Sequence, residues 1–361
     1  MVFGNVSIPR KRFRNYLATK PLSVKRITIK DVAQQLNVSI STVSRAFNDS
    51  YDIREETRTK ILRVAHEMGY RPNPIARKLI QQKTFSVGVV VPEFINSYFP
   101  EVIMGIQQVL IRKGYQVLVM QSNECHTTER ENVRTLEDNR ADGLIISLSR
   151  EGCNQGYYLS LIEKGYPMVF FNRVDEAVPA SRVVFDDYKW AYFATEHLIS
   201  QGHRRIYHLS GYQHLGLVQQ RIRGFQKALT KFSIPYTPDH VVEAGFSIEE
   251  GQTAMEKLLA AHELPEAIFA ANDPVAIGAM KVIKKAGLRI PHDIALVGFS
   301  ECRMAEVVDP PLTSVRQPTI EMGKAAAELL LQQMAANGQA TPQTIVLDGT
   351  LNVRASSLAI T

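Results

Sequence analysis

Apolar residues recur at helical spacing at Ile29, Val32, Ala33 and Leu36 and again at Val43, Ala46 and Phe47, so residues 28–48 predict two short helices joined by a tight turn. Thr28 followed by Asp31 is a capping-box variant that starts the first helix. Asn37 falls where the chain must reverse, and Asn tolerates the left-handed conformation such a turn needs. Ser39 then caps the second helix, whose outer positions are Ile40, Ser41, Thr42, Ser44 and Arg45. A third helix is expected over 52–69, with Ile53, Thr57, Ile61, Val64, Ala65 and Met68 on one stripe and Gly69 as its stop. Pro72 breaks this pattern. Asn73 and Pro74 open a segment through Ile80, and a helix so short is marginal in water alone, so it is expected to fold only against something.

From Phe85 the pattern changes to continuous apolar runs alternating with amphipathic helical stretches. Strands are expected at 86–91, 116–120, 143–148, 168–171, 205–209, 241–244, 267–270 and 294–298. Such runs of Val, Ile and Leu belong to strands buried on both faces of a parallel sheet. About 275 residues of this repeat exceed one typical domain, which predicts two doubly wound lobes. A break is expected near 185–188, and a return crossing from Thr313 onward.

Charge sharpens the division. Residues 1–83 hold 17 Lys+Arg against 6 Asp+Glu (+11), and the rest hold 25 against 30 (−5). A basic head on a mildly acidic body is the footprint of a nucleic-acid-binding module attached to something else. A short second helix with free N-terminal side chains suits the major groove. There Arg45 meets guanine or a phosphate and Ile40 a thymine methyl, while Ser39 and Thr42 hold phosphates. An ordinary helical hairpin with a polar face fits the same two-helix pattern. Leu79 is placed to wedge between base steps of a minor groove, with a plain basic linker as the alternative.

In open parallel sheets ligands bind beyond the carboxyl ends of the strands. That rule selects Phe94, Asn96, Tyr98 and Phe99, then Ser122, Asn123, Ser147, Ser149, Asn172, Arg173, Asp186, Asp187, Phe246, Asn272, Asp273, Ser300 and Glu301. The mixture of amides, hydroxyls, charges and aromatic faces suits a neutral polyol or sugar. Satisfied loop and capping groups are the alternative for each alone, and Asp273 is expected to cap the helix that follows it.

Enzyme readings find little support. There is no Gly-x-Gly-x-x-Gly, phosphate loop or nucleophile elbow, and His197 and His203 lack neighbours at metal-ligand spacing. No cofactor and no metal are expected. Three cysteines, Cys125, Cys153 and Cys302, show no CxxC spacing, which fits a reducing cytoplasm. No run approaches a membrane span and no signal-peptide pattern opens the chain. The rival readings are a solute-binding protein of a sugar uptake system, which has no use for a basic head, and a sugar-modifying enzyme with a fused DNA-binding module.

The segments Ile29-Lys-Asp-Val-Ala33, Val38-Ser39, Thr42-Val-Ser-Arg45, Asn48, Gly69-Tyr70-Arg-Pro-Asn73 and Ala76-Arg77-Lys78-Leu79 together resemble the LacI/GalR family of bacterial transcription regulators. The resemblance implies an α/β fold: an all-α helix-turn-helix head plus two Rossmann-like subdomains of the periplasmic-binding-protein type, with a ligand between them. It implies a DNA interface of Thr28, Ser39, Ile40, Ser41, Thr42, Ser44, Arg45, Asn48, Tyr70, Asn73, Ala76, Arg77 and Leu79, with Ile40, Ser41 and Arg45 choosing bases. It implies an effector site at Tyr98, Phe99, Arg173, Asp186, Arg221, Phe246, Asn272 and Ser300, to which the strand-end rule adds Phe94, Asn96 and Ser147. The family usually has Asp where Ser300 stands, and commonly a capping Ser where Arg54 stands. The partners implied are a pseudo-palindromic double-stranded operator, a sugar-like effector and a second copy of the chain, with no membrane. The expected layout is a basic extension (1–26), the head (27–72), a hinge (73–83) and the core (84–358). Within the core, one lobe is expected at 84–186 plus 314–340 and the other at 187–313 plus 341–358.

Overall fold

A computed structural model describes residues 27–47, 53–70, 83–260 and 264–358. The chain divides into two units, residues 1–82 and 83–361. The expected extension, nearly all of the expected hinge, and the DNA-contact candidates Asn48, Asn73, Ala76, Arg77 and Leu79 lie outside the described residues.

In the first unit α1 (Ile29–Leu36) begins at Thr28, whose backbone N–H donates to Asp31 Oδ2 at 2.7 Å while Asp31 N–H donates to Thr28 Oγ1 at 3.4 Å, completing a capping box. Asn37 takes φ 52°, the left-handed turn expected of it. In α2 (Ile40–Phe47) the Thr42 amide donates to Ser39 Oγ at 3.0 Å, so Ser39 caps this helix. Helix α3 (Glu55–Glu67) is shorter than the expected 52–69. Arg54 is its N-cap and makes no side-chain cap bond, so Glu55 and Glu56 in the first turn are left to complement the helix dipole. Val32, Ala33, Val43, Ala46, Ile61 and Ala65 form the core, closed by Phe47 against Tyr70 with ring centres 5.5 Å apart. Arg58 Nε donates to the Ala46 carbonyl at 3.3 Å, satisfying an orphan acceptor near the end of α2.

The second unit begins with β1 (Ser86–Val91), α4 (Tyr98–Leu110), β2 (Gln116–Gln121), α5 (His126–Asp138), β3 (Gly143–Ile146), α6 (Gln155–Glu163), β4 (Met168–Phe171) and β5 (Ser181–Phe185). The chain then passes to a second lobe of α7 (Asp187–Ser200), β6 (Ile206–Ser210), α8 (Gly216–Lys231), β7 (Val241–Glu243), α9 (Ile248–Leu259), β8 (Ala267–Ala270), α10 (Asp273–Lys285), β9 (Ala295–Phe299) and β10 (Thr313–Arg316). It returns to the first lobe for α11 (Thr319–Ala335) and β11 (Thr344–Leu347), and crosses a third time to β12 (Thr350–Asn352). The sheets run β11-β5-β4-β3-β1-β2 and β12-β10-β9-β8-β6-β7, parallel throughout except for β10 against β12. Every residue of β1, β3, β4, β8 and β9 is buried, as strands covered by helices on both faces must be.

Two expected boundaries shift. Strand β10 pairs with β9 in the second sheet although a change of lobe was expected at 314, and β11 pairs with β5 in the first although the return was expected at 341. Strands β5, β10, β11 and β12 were absent from the expected set. All four are short, and β5 and β11 alternate in burial, so no apolar run marks them. Helix α11 belongs to the first lobe because it packs on α4 at glycine contact: a Cβ on Gly323 would lie 2.0 Å from the Val102 carbonyl oxygen, and one on Gly105 would lie 2.1 Å from that of Ile320.

Candidate nucleic-acid interface and ligand cleft

On the outer face of α2, Ile40, Ser41 and Arg45 are exposed, Ile40 with 45% of its surface in water, while Thr42 and Ser44 are half-buried. The hydroxyls of Ser39, Ser41 and Thr42 lie 2.7 Å from one another in two pairs through Ser39. Thr28 is exposed but its hydroxyl serves the cap of α1. The Tyr70 ring is half-buried against Phe47, and burial raises its hydroxyl pKa.

Between the carboxyl ends of the two sheets lies a cavity of about 420 Å³. Asn96, Tyr98, Phe99, Arg173, Arg221, Phe246, Asn272 and Ser300 line it; Phe94, Ser147 and Asp186 do not. Phe94 is 41% exposed, and Ser147 is fully buried beneath the end of β3 with its hydroxyl unpartnered. Asp186 caps α7, accepting from the Lys189 amide at 3.0 Å. These departures share a cause: the carboxyl-end rule locates a loop, and the loop's path then decides which side chains reach the space.

Several lining groups are already engaged. Arg221 donates from Nε and Nη2 to Asp187 Oδ1, both at 2.8 Å, and from Nη1 to the Ala271 carbonyl at 2.5 Å, with its guanidinium 3.8 Å from the Phe299 ring centre. Burial pushes the Asp187 carboxyl up, and Arg221 pulls it back. Asn272, not Asp273, is the N-cap of α10: its Oδ1 accepts from the Val275 amide and its Nδ2 donates to the Phe246 carbonyl, both at 2.9 Å. Asp273 instead is fully buried behind the cleft, accepting from Ser314 Oγ and the Cys302 amide, each at 2.6 Å, and desolvation pushes its pKa up to about 7. Tyr98 offers its ring, because its hydroxyl donates to Met322 Sδ at 3.1 Å.

Ser300 takes φ 81° and donates to Gln317 Oε1 at 2.8 Å, leaving the buried Gln317 Nε2 unpartnered beside the cavity. Glu301 turns away from the cleft and holds Arg354 at 2.5 Å and Asn352 at 2.6 Å, tying the loop to β12 and its following residues. Glu93, Glu124, Arg150, Tyr212, Glu250 and Gln317 line the cavity without having been singled out. Glu124, Arg150 and Tyr212 each follow a strand end within four residues, so extending the carboxyl-end rule along the loops finds them. Gln317 directly follows β10, a strand that no apolar run marks, and Glu250, inside α9, carries no such signal.

Among the described residues no cluster of three or more His, Cys, Asp or Glu fit to hold a metal occurs, and no helix is long and apolar enough to cross a membrane. His197 contacts Ser357 Oγ at 2.8 Å, and burial lowers its pKa.

A cleft between two parallel-sheet lobes on one unit and a helix-turn-helix on the other define a ligand-responsive DNA-binding regulator. Residues 84–348 match the model of periplasmic binding proteins and the sugar-binding domain of the LacI family, and residues 28–73 match that of bacterial regulatory proteins of the lacI family. The chain belongs to the LacI family. It is 31% identical over 331 residues to the ribose operon repressor of Haemophilus influenzae, covering 91% of this chain and 98% of that one. It is likewise 31% identical over 307 residues to the transcriptional repressor PurR of Vibrio cholerae, covering 85% and 91%. Among solved structures it is similar to the lac repressor dimer bound to operator and the anti-inducer ONPF, with TM-score 0.81 and 27% identity over 93% of this chain and all of that one. It is also similar to the regulator CelR in complex with cellobiose, with TM-score 0.70 and 30% identity over 92% of this chain and all of that one.

Proposed function

We propose that this chain is a bacterial repressor whose operator affinity is set by a sugar or sugar derivative seated between its lobes. The observation that carries the effector reading is the cavity itself. It combines aromatic faces (Tyr98, Phe99, Phe246) with amides and hydroxyls (Asn96, Asn172, Ser300), and its arginines are engaged by protein groups: Arg221 by Asp187 and Arg173 by Glu124. Such a site favours an uncharged ligand with a polar rim and an apolar face. The ribose operon repressor and the cellobiose-bound CelR point to the same ligand class.

On the head, Ile40, Ser41 and Arg45 read bases and the neighbouring hydroxyls position phosphates. Two heads on one palindrome require a two-fold dimer. Exposed Met104 within and Ile111 just after the first helix of the core, Leu118 and Val119 on edge strand β2, and Met304 and Val307 before β10 supply an apolar surface for that pairing. Effector binding shifts the lobes and through them the segment that joins the head, which makes DNA affinity depend on the ligand. Catalysis is no part of this reading, since the relatives are repressors. The work is placed in the bacterial cytoplasm, where the operator is.

The test selects operator sequences from a random DNA pool and then measures fluorescence anisotropy of the selected duplex with and without ribose, glucose and cellobiose. A sequence-specific complex whose affinity changes with one of these sugars is expected. Binding indifferent to every sugar, or turnover of any of them, overturns the proposal.

A further inference from the structure

We infer that Arg150 and Tyr212 form a gate across the mouth of the cleft that sets the length of ligand admitted and the rate at which it leaves; the length claim rests on the sugar-effector reading above. The three crossovers join the β5 and β11 edge of one sheet to the β10 and β12 edge of the other, so the cleft opens on the side of β1, β2, β6 and β7. Toward that side the loop after β3 meets the loop after β6. Arg150 Nη1 donates to the Tyr212 hydroxyl at 2.5 Å, its guanidinium lies 4.9 Å from the Tyr212 ring centre, and His214 Nε2 lies 2.6 Å from the Arg150 carbonyl oxygen.

Both sides of this contact are braced. The Tyr212 hydroxyl donates to Glu250 Oε1 at 2.5 Å, and the other oxygen of Glu250 accepts the amides of Phe246 and Ser247 at 3.0 and 2.9 Å. Burial alone would raise the Glu250 carboxyl, but these donors hold it below its usual range, so it stays a fixed acceptor. Across the cleft the Arg150 amide donates to Glu124 Oε2 at 3.0 Å, and the same oxygen takes Arg173 at 2.7 Å, whose guanidinium lies 5.1 Å from the Phe246 ring centre. Protein atoms alone therefore join the lobes at the mouth. A guanidinium both stacked on an aromatic ring and hydrogen-bonded holds more firmly than an exposed ion pair, yet it can release without exposing an apolar core. The space behind it, about 420 Å³, holds a ligand of roughly one or two sugar rings. A third ring has to displace Tyr212.

Hydrogen exchange of the full-length, ligand-free protein reads the gate directly. In Arg150→Ala the amides of 148–153 and 211–216 are expected to exchange roughly tenfold faster than in the wild type, with β1 unchanged. Tyr212→Phe, which keeps the ring and loses only the hydroxyl bonds, is expected to fall between the two. Unchanged exchange at both loops in both variants overturns the gate. Thermal-shift titrations with ribose, glucose, cellobiose and cellotriose read the length limit. The wild type is expected to respond to a mono- or disaccharide and not to cellotriose, and Arg150→Ala to gain a cellotriose response. Equal stabilisation of the wild type by cellobiose and cellotriose overturns the length limit. Silence toward every sugar in both proteins overturns it together with the sugar reading, while the exchange rates still judge the gate.

Discussion

Arg221 and Asp187 are joined twice in the interior of the second lobe, Nε and Nη2 of the arginine each lying 2.8 Å from the same carboxylate oxygen, with 4% and 7% of the side chains exposed. The pair connects α8 to the first turn of α7, immediately after the first crossover, so it fixes the chain where the lobes part. Its charges are uncompensated if either partner is removed. Arg221→Ala is expected to destabilise the protein by about 3–5 kcal/mol, read from urea unfolding, whereas the double replacement Arg221→Met with Asp187→Leu is expected to lose less. Equal losses would show that the arginine's packing on Phe299, rather than the buried charge, dominates.

Asp273 makes the second lobe pH-dependent. Its folded pKa of about 7 stands above its ordinary value of 3.8, so the native state binds a proton the unfolded chain releases. The stabilisation is fully present below about pH 4 and is lost as pH rises through 7. Urea unfolding at pH 4.5, 6 and 7.5 is expected to show this falling component in the wild type and not in Asp273→Asn. Parallel pH profiles for the two proteins would contradict the assignment.

The capping box of α1 is separable from the cleft. Thr28→Ala removes the cap of α1 and is expected to cost about 1 kcal/mol of head stability. Operator affinity should fall as the head frays, while the midpoint of a sugar titration of the core stays where it was. A shifted sugar midpoint would contradict independent folding of the two units.

Base reading and backbone holding by the head are expected to differ in their signatures. Arg45→Ala should cost about 1–3 kcal/mol on the selected operator and relax preference at one position, with little change on random DNA. Neutralising Arg10, Lys11, Arg12 and Arg14 of the basic extension should instead flatten the dependence of affinity on salt. Anisotropy titrations across a salt series distinguish them, and identical losses on operator and random DNA for Arg45→Ala would assign it to phosphate.

Phe246→Ala removes the aromatic wall that faces Arg173 in the cleft. Loss of the sugar-induced thermal shift with the operator affinity of the ligand-free protein preserved is the expected outcome. An unaltered shift would move the ligand off this wall.

The local features of this chain were readable because their causes are local. A capping box spans four residues, a left-handed Asn sits at one, and a fully buried strand writes itself as an apolar run, so α1, α2, β1, β4 and β8 stand where the pattern puts them. Charge asymmetry and the family's motifs carried the reading on to a regulator. Features that depend on which strand lies beside which were decided only in three dimensions. The lobe to which β10 and β11 belong follows from hydrogen-bond partners far away in sequence, and no spacing of residues encodes that choice. The same holds for the cleft: whether Asp273 is drawn to Ser314 and Cys302 and leaves the cap of α10 to Asn272, whether Glu301 faces the cleft or Arg354, and whether Arg150 meets Tyr212 are settled by packing between segments that the sequence keeps apart. Backbone preferences act over a few residues, whereas a binding site is assembled by the fold.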